Sequence, residues 1–192
     1  MSAGQGEVPA AFLEALRSLR AARLRPEIRL VEVPGPGRIA PFSAALTGDV
    51  SAPRGAVPED LASGRFVVLH DPDGQEAWEG TFRLVTFVRA TLEAELGADG
   101  LLAGVAWTWF SDAIDEAGIT PIATGGTVTR VLSQSFGTLA ARPDEVEVEI
   151  RASWTAEGPD LGPHLRAWGT LLCTSAGLPP LPEGVVSLGA RH

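Results

Sequence analysis

The chain has 192 residues, of which 45% are hydrophobic and 20% charged, and these values are typical of a globular protein that buries its own core. The formal net charge of −9 argues against a nucleic-acid partner, because nucleic-acid binding relies on neutralising phosphates. No apolar run is long enough to span a membrane and no signal peptide is visible, so we expect a cytoplasmic protein without a membrane partner. The lone Cys173 is expected to be a buried, inert thiol.

The first third of the chain predicts one helix and two strands. Apolar residues at spacings of three and four indicate a helix over about residues 9–24. Residues 28–33 and 42–50 are typical of short strands. Residues 51–63 have no period and predict a surface loop, and residues 1–8 are expected to be a flexible end.

Residues 64–93 predict a β-hairpin that turns at Pro72, Asp73 and Gly74. A three-residue turn at this place sets His70 opposite Glu76. The same register predicts three further pairs, which are Asp71 with Gln75, Val68 with Trp78, and Phe66 with Gly80. One face of the hairpin then carries Phe66, Val68, Trp78, Phe82, Leu84 and Val88.

The second half of the chain predicts a helix, two strands and a final helix. The apolar stripe of the first of these helices is expected to be Leu101, Leu102, Val105, Ala106, Trp109, Ala113 and Ile114, ending at Gly118. Residues 126–136 and 145–155 predict strands, and the second alternates cleanly between apolar and polar residues. Asp160 is expected to cap the last helix, which stops at Gly177. Residues 183–192 are expected to be a flexible end.

This order predicts a single α+β domain over residues 1–192, in which three helices cover one face of an antiparallel sheet of about six strands. Bacterial secretion chaperones have a broadly similar order of elements, which is an analogy of fold alone.

Five blocks of sequence, in order over nearly the whole chain, resemble an actinobacterial family known as domain of unknown function 3000. The blocks are ARLRPEIRLVEVP, HDPDGQEAWEGTFRLVTFVRATLE, GTVTRVLSQSFG, EVEIRASW and HLRAWGTLLCTSAGLPPLPEGVVSL. All fifteen basic residues are Arg, as expected of a GC-rich genome that avoids codons rich in A and T. This composition agrees with an actinobacterial origin. The resemblance implies no particular activity, cofactor or catalytic residue.

Two groups of residues are candidates for a site. His70 with Glu76 and the neighbouring Asp71 could act as a general acid or base, or could be an exposed ion pair that closes the hairpin. On the other face of the hairpin, Arg65, Arg83 and Arg89 alternate with Val67, Val85 and Phe87. Such a mixed face is typical of a protein interface, and equally of a second small core beneath residues 51–63.

Three weaker features have simpler interpretations. The run of Arg residues from Arg17 to Arg29 fits a helix end better than a docking patch. Gly125 and Gly126 indicate a turn that enters a strand rather than a phosphate loop. His164 is most simply a surface residue. The spacing of the histidines and the cysteine fits no zinc motif, so we predict neither a metal nor a cofactor.

Together these observations favour a non-enzymatic interaction or adaptor protein, which binds itself or another protein through the mixed face or an exposed sheet edge. Trp78 joins the candidate binding residues because it adjoins the histidine. A dimer is expected more than a monomer. The alternative is a small enzyme or ligand-binding domain whose pocket collects His70, Asp71, Glu76 and Arg83, so a small-molecule partner stays open.

Overall fold

Six strands form one antiparallel sheet in the part of the chain that the structure describes, and three helices pack on one face of it. The structure is a computed structural model that describes residues 7–51, 60–92, 94 and 100–180. In chain order the elements are α1 Ala10–Ala21, β1 Ile28–Val33, β2 Phe42–Ser51, β3 Asp60–Gln75, β4 Gly80–Leu92, α2 Leu102–Glu116, β5 Ile122–Ser133, β6 Glu145–Ala156 and α3 Gly162–Ser175. The strand order is β1-β2-β3-β4-β6-β5. The predicted α+β single-domain class is therefore confirmed.

Even-numbered residues of the strands face the helices, and odd-numbered residues face away from them, because side chains alternate along a strand. The register keeps this parity from strand to strand, as where Phe66 pairs with Thr86 and Leu84 with Trp154, up to the bulges near three strand ends. The largest side chains of the sheet that are fully buried lie on this helix-covered face of the central strands, and they are Phe66, Phe82, Leu84, Ile150 and Trp154.

The helix α3 packs against the sheet at two glycines, where no side chain separates it from the strands. Gly48 of β2 and Gly64 of β3 pair across their strands, and the fully buried indole of Trp168 lies against both. A Cβ atom would lie 2.7 Å from Trp168 Cη2 if added to Gly48, and 3.0 Å from Trp168 Cζ2 if added to Gly64. Side chains at either glycine would push α3 away from the sheet.

The N-terminus of α3 is capped by α1 and not by Asp160, so the predicted cap is wrong. Leu161 occupies the N-cap position, which leaves Asp160 one residue too early to bond the first helical N–H groups. The hydroxyl of Ser18 instead accepts the Gly162 N–H at 2.7 Å and donates to Asp160 Oδ1 at 2.6 Å. One serine thus joins the first helix to the last.

Two strand boundaries differ from the prediction. β3 begins at Asp60 and β2 reaches Ser51, so residues 51–63 are not all loop; residues 52–59 lie outside the described residues. β5 begins four residues before the predicted 126–136, because a left-handed Ala123 (φ 48°) and a bulge bring the chain into the sheet early. The predicted flexible ends fall largely on residues 1–6 and 181–192, which are also outside the described part.

The buried stripe of α2 is rotated from the predicted one. Leu101 and Val105 are exposed and Trp109 is only half-buried, whereas Phe110, absent from the predicted stripe, is buried. The rotation follows from ring packing, since Phe110 lies 5.4 Å from Trp154 between ring centroids. The buried set is Leu102, Ala106, Phe110, Ala113 and Ile114.

Candidate functional site

The β3–β4 hairpin closes through a longer connection than the predicted turn. His70 pairs with Phe82 instead of Glu76, a shift of six positions, so the predicted register and the His70–Glu76 pair are wrong. Residues 76–78 form a 3-10 turn, and the longer connection carries Trp78 to a buried place where its carbonyl accepts the Thr155 hydroxyl at 2.6 Å. Burying the indole of Trp78 stabilises the fold more than a tight turn at Pro72, Asp73 and Gly74 would. A large aromatic side chain gains more free energy on burial than a favourable turn sequence provides.

The shift is an even number of residues, so most of the predicted face survives. Phe66, Val68, Phe82, Leu84 and Val88 do share the helix-covered face and are buried. Trp78 does not join them, because it packs on the opposite face of the sheet with Ala45, Val67 and Leu69.

His70 is a buried member of an aromatic cluster. Its ring stacks on Phe82 at 4.1 Å and lies 5.8 Å from Phe12 of α1 and 6.2 Å from Phe42, measured between centroids. Nδ1 lies 3.0 Å from the Thr81 carbonyl, to which it donates, and Nε2 has no hydrogen-bond partner. This arrangement fixes α1 on the sheet and brings no carboxylate of the described residues into a bond with the imidazole.

The four residues of the predicted pocket are separated. His70 faces the helices, whereas Arg83 lies on the opposite, open face. Asp71 holds the turn by accepting the Asp73 N–H at 3.2 Å and the Gln75 side-chain amide at 3.1 Å. Glu76 is exposed on the 3-10 turn. An enzyme remains a prediction, but these four side chains do not line a common pocket for it.

The open face of the sheet, which carries the odd-numbered residues, has a stepped surface. The register places three large side chains in one row across the strands, Arg65, Phe87 and Arg151, with Thr47 and Thr127 at the ends of that row. The next row holds small side chains, Ala45, Val67, Val85, Ser153 and Gly125. The height difference between adjacent rows makes a groove that crosses the strands.

This groove has a volume of about 600 Å³ and is open to solvent. Val67 and Val85 form its floor with Ser153 and Gly125, and its wall is formed by the large row from Arg65 to Thr127. Among the described residues that line it there is no Asp or Glu. Val85 is 40% exposed, which is high for a valine in a central strand.

The guanidinium groups on this face are unequally neutralised. Arg151 pairs with Glu149 at 2.7 Å and lies 5.1 Å over the Phe87 ring, and Arg89 pairs with Glu147. Among the described residues, Arg65 bonds only the Pro34 carbonyl, at 3.1 Å.

Arg83 is half-buried, and burial lowers its pKa. Its three hydrogen bonds reach neutral oxygens, on Ala123 at 2.8 Å, Ser153 at 2.7 Å and Thr155 at 3.2 Å. Within the described chain, Arg65 and Arg83 thus have no carboxylate counter-charge.

Of the two predicted alternatives for the mixed face, the structure bears on the small core, and the protein interface stays a prediction. A second small core does exist on it, formed by Ala45, Val67, Leu69 and Trp78. Trp78, which the sequence places elsewhere, covers this core, and the groove beside it is left open.

Two titratable side chains of α3, His164 and Cys173, are buried. The sequence suggests a surface position for His164, but it is 8% exposed, and its Nδ1 accepts the Trp154 indole N–H at 2.9 Å. Burial lowers the pKa of His164 to about 4, against a smaller opposite effect of Asp160. Only the proximity of Trp154, ten residues away, could have indicated this. Cys173 is buried as predicted, and burial raises its pKa to about 11.

Of the Arg run, Arg25 has partners: it pairs with Glu27 at 2.8 Å and donates to the Pro179 carbonyl at 2.7 Å. This hydrogen-bonded pair raises the pKa of Arg25 and lowers that of Glu27. Arg17, Arg20, Arg23 and Arg29 are exposed.

A family model described as a protein of unknown function (DUF3000) matches residues 8–186. No curated protein and no solved structure matches the chain. None of the helices in the described residues has the length and apolar character needed to cross a membrane. Nor do those residues contain three or more His, Cys, Asp or Glu side chains placed to hold a metal ion.

Proposed function

The chain belongs to the DUF3000 family of proteins of unknown function, and we propose that it is a non-enzymatic protein-binding module that uses the open face of its sheet. The observation that supports this most is the groove across the strands, with its apolar floor and its Arg wall. Interfaces favour such surfaces, because Arg and aromatic residues contribute a large share of binding energy.

The charges of the groove suggest which kind of partner would fit it. Arg65 lines the groove and has no carboxylate partner in the described residues, although the whole chain carries a net charge of −9. A partner that places an apolar side chain on the exposed Val85, with an Asp or Glu beside Arg65, would cover the open part of the floor and neutralise that guanidinium group. The partner is another protein or a second copy of this chain.

Site-specific crosslinking tests the proposal. A benzophenone amino acid at Thr127, in the groove wall, should form a discrete adduct with a protein in cells of the native organism. The same group at Glu116, exposed on α2, should not. The mass of the adduct distinguishes a second copy from another protein.

Two substitutions make the test specific. Gly125→Leu fills the groove at a position where an added Cβ meets nothing within 4 Å, so the fold should tolerate it. Arg65→Glu reverses a wall charge that makes one surface hydrogen bond. Each should lower the adduct yield, by roughly tenfold for the charge reversal. Equal yields from Thr127 and Glu116, or yields that neither substitution changes, would contradict the proposal.

A further inference from the structure

A second cavity lies on the opposite, helix-covered side of the sheet, between α1 and the edge strand β1. Its volume is about 180 Å³. Its interior is apolar, and its deepest side chains, Phe66 and Val68, are almost fully buried. The side chains around them are chiefly Leu16, Leu19, Leu30, Ala44, Leu46 and Leu165. We call this cavity the α1 crevice.

The α1 crevice exists because the edge of the sheet extends past its helical cover. α1 is held over the middle strands by Phe12, which packs against Phe42 and His70, and by the bonds of Ser18 to α3. On β1, Leu30 faces the helices by parity but is 37% exposed, and Glu32 is exposed on the same side. The helix therefore leaves an opening toward β1.

Two opposite charges line this opening. Arg20 lies in the last turn of α1 and Glu32 lies on β1, and both side chains line the crevice. They form no ion pair with one another, and neither makes a hydrogen bond or ion pair with any other residue that the structure describes. Within that part of the chain, a cation and an anion without partners thus flank the entrance of one apolar cavity.

We propose that the α1 crevice binds an apolar α-amino acid, with its side chain inside, its carboxylate on Arg20 and its ammonium on Glu32. A cavity of about 150 Å³ lined by Leu, Ile and Phe accommodates a benzene ring. The crevice is therefore large enough for the side chain of leucine or phenylalanine. Its apolar interior offers no partner for a buried hydroxyl or phosphate, which disfavours sugars and nucleotides. An apolar α-amino acid is a compact ligand that carries an ammonium, a carboxylate and an apolar side chain on one carbon atom.

This site is independent of the protein-binding groove, because the two lie on opposite faces of the sheet. Either proposal can fail without the other. Crosslinking at Thr127 tests the groove, and measurements of small-molecule binding test the crevice.

Titration calorimetry of the full chain tests the crevice, with L-leucine and L-phenylalanine as probes. We expect saturable binding with a dissociation constant at or below about 1 mM, and none of glycine, which lacks the apolar group. Two analogues of leucine should each bind roughly twofold to fivefold more weakly, because each lacks one rim interaction. They are 4-methylpentanoate, without the ammonium, and 3-methylbutylamine, without the carboxylate.

Substitutions assign the binding to this place. Arg20→Gln and Glu32→Gln remove one rim charge each from exposed positions and should weaken leucine binding by a similar factor of about two to five. Arg17→Gln is the control, because Arg17 is an exposed residue of the same helix that does not line the crevice. Ala44→Leu should abolish binding by filling the cavity, and its melting curve reports whether it folds.

Three results would overturn the proposal: no saturable binding of either amino acid up to about 10 mM, equal effects of Arg17→Gln and Arg20→Gln, or equal affinity for leucine and 4-methylpentanoate. The rim substitutions decide the matter even if Ala44→Leu does not fold.

Discussion

The two faces of the sheet come from the same strands but differ in what they bury. The helix-covered face carries the largest fully buried side chains of the sheet, such as Trp154 and Phe66, and three helices pack on it. The open face alternates Arg and Phe with small residues, and it has one small cluster beneath Trp78. The comparison indicates that stability depends chiefly on the even-numbered residues, whereas the odd-numbered residues outside the cluster beneath Trp78 are largely open to solvent.

The largest expected effect is the loss of a helix-facing tryptophan. Trp154→Ala should lower the free energy of unfolding by about 3–5 kcal/mol, because it leaves a cavity beside Phe110 and removes the donor to His164. Val85→Ala on the open face is the control and should cost less than about 1 kcal/mol, since Val85 is already 40% exposed. Urea unfolding measures both, and comparable losses would break the distinction between the faces.

The next effect is the pH dependence that His164 imposes on the helix-covered side. Its pKa is about 4 in the folded protein and about 6.5 in an unfolded chain, so the unfolded state binds the extra proton between these values. The stabilisation is therefore complete above pH 6.5 and is lost as the pH falls toward 4. It amounts to roughly 3 kcal/mol.

His164→Gln should remove this dependence while keeping an oxygen that can accept the Trp154 indole N–H. Unfolding curves of both proteins from pH 4 to pH 7 isolate the effect, because the carboxylates titrate in both alike. Parallel stability profiles would show that His164 is not held neutral by burial.

The smallest effect compares two neighbouring glycines on opposite faces of β5. Gly126→Ala should cost about 1–3 kcal/mol, because its Cβ would meet the Arg151 carbonyl and the Trp107 ring, which lies 2.6 Å away. Gly125→Ala should be neutral or stabilising by up to about 1 kcal/mol, because nothing lies within 4 Å. Thermal melts of the two variants suffice, and a reversed order would mean that the face assignment of β5 is wrong.

The sequence predicts the elements of this fold because their signals are local. The alternation of Val146, Val148 and Ile150 lies within β6 itself, and it predicts both the strand and its buried side. The alternation of Arg65 and Arg83 with valines likewise predicts the mixed face. These patterns need no knowledge of distant residues.

The groove and the hairpin register could not be predicted in the same way, because each depends on distant contacts. Arg151, Ser153 and Gly125 reach the groove only because β6 lies between β4 and β5, which an element order does not reveal. The register depends on the burial of Trp78, whose carbonyl accepts the hydroxyl of Thr155, 77 residues further along the chain. The predicted turn is a local preference that this distant contact overrides.

The bond between Ser18 and Gly162 also has a consequence for the order in which the chain is made. These residues are 144 positions apart, and α1 is synthesised long before α3. At about 5–20 residues per second, the ribosome needs roughly 7–30 s to make the intervening chain. Through that interval the apolar stripe of α1 lacks α3 as its packing partner. We therefore expect α1 to be among the last elements to dock on the nascent protein, although it emerges before the other described elements.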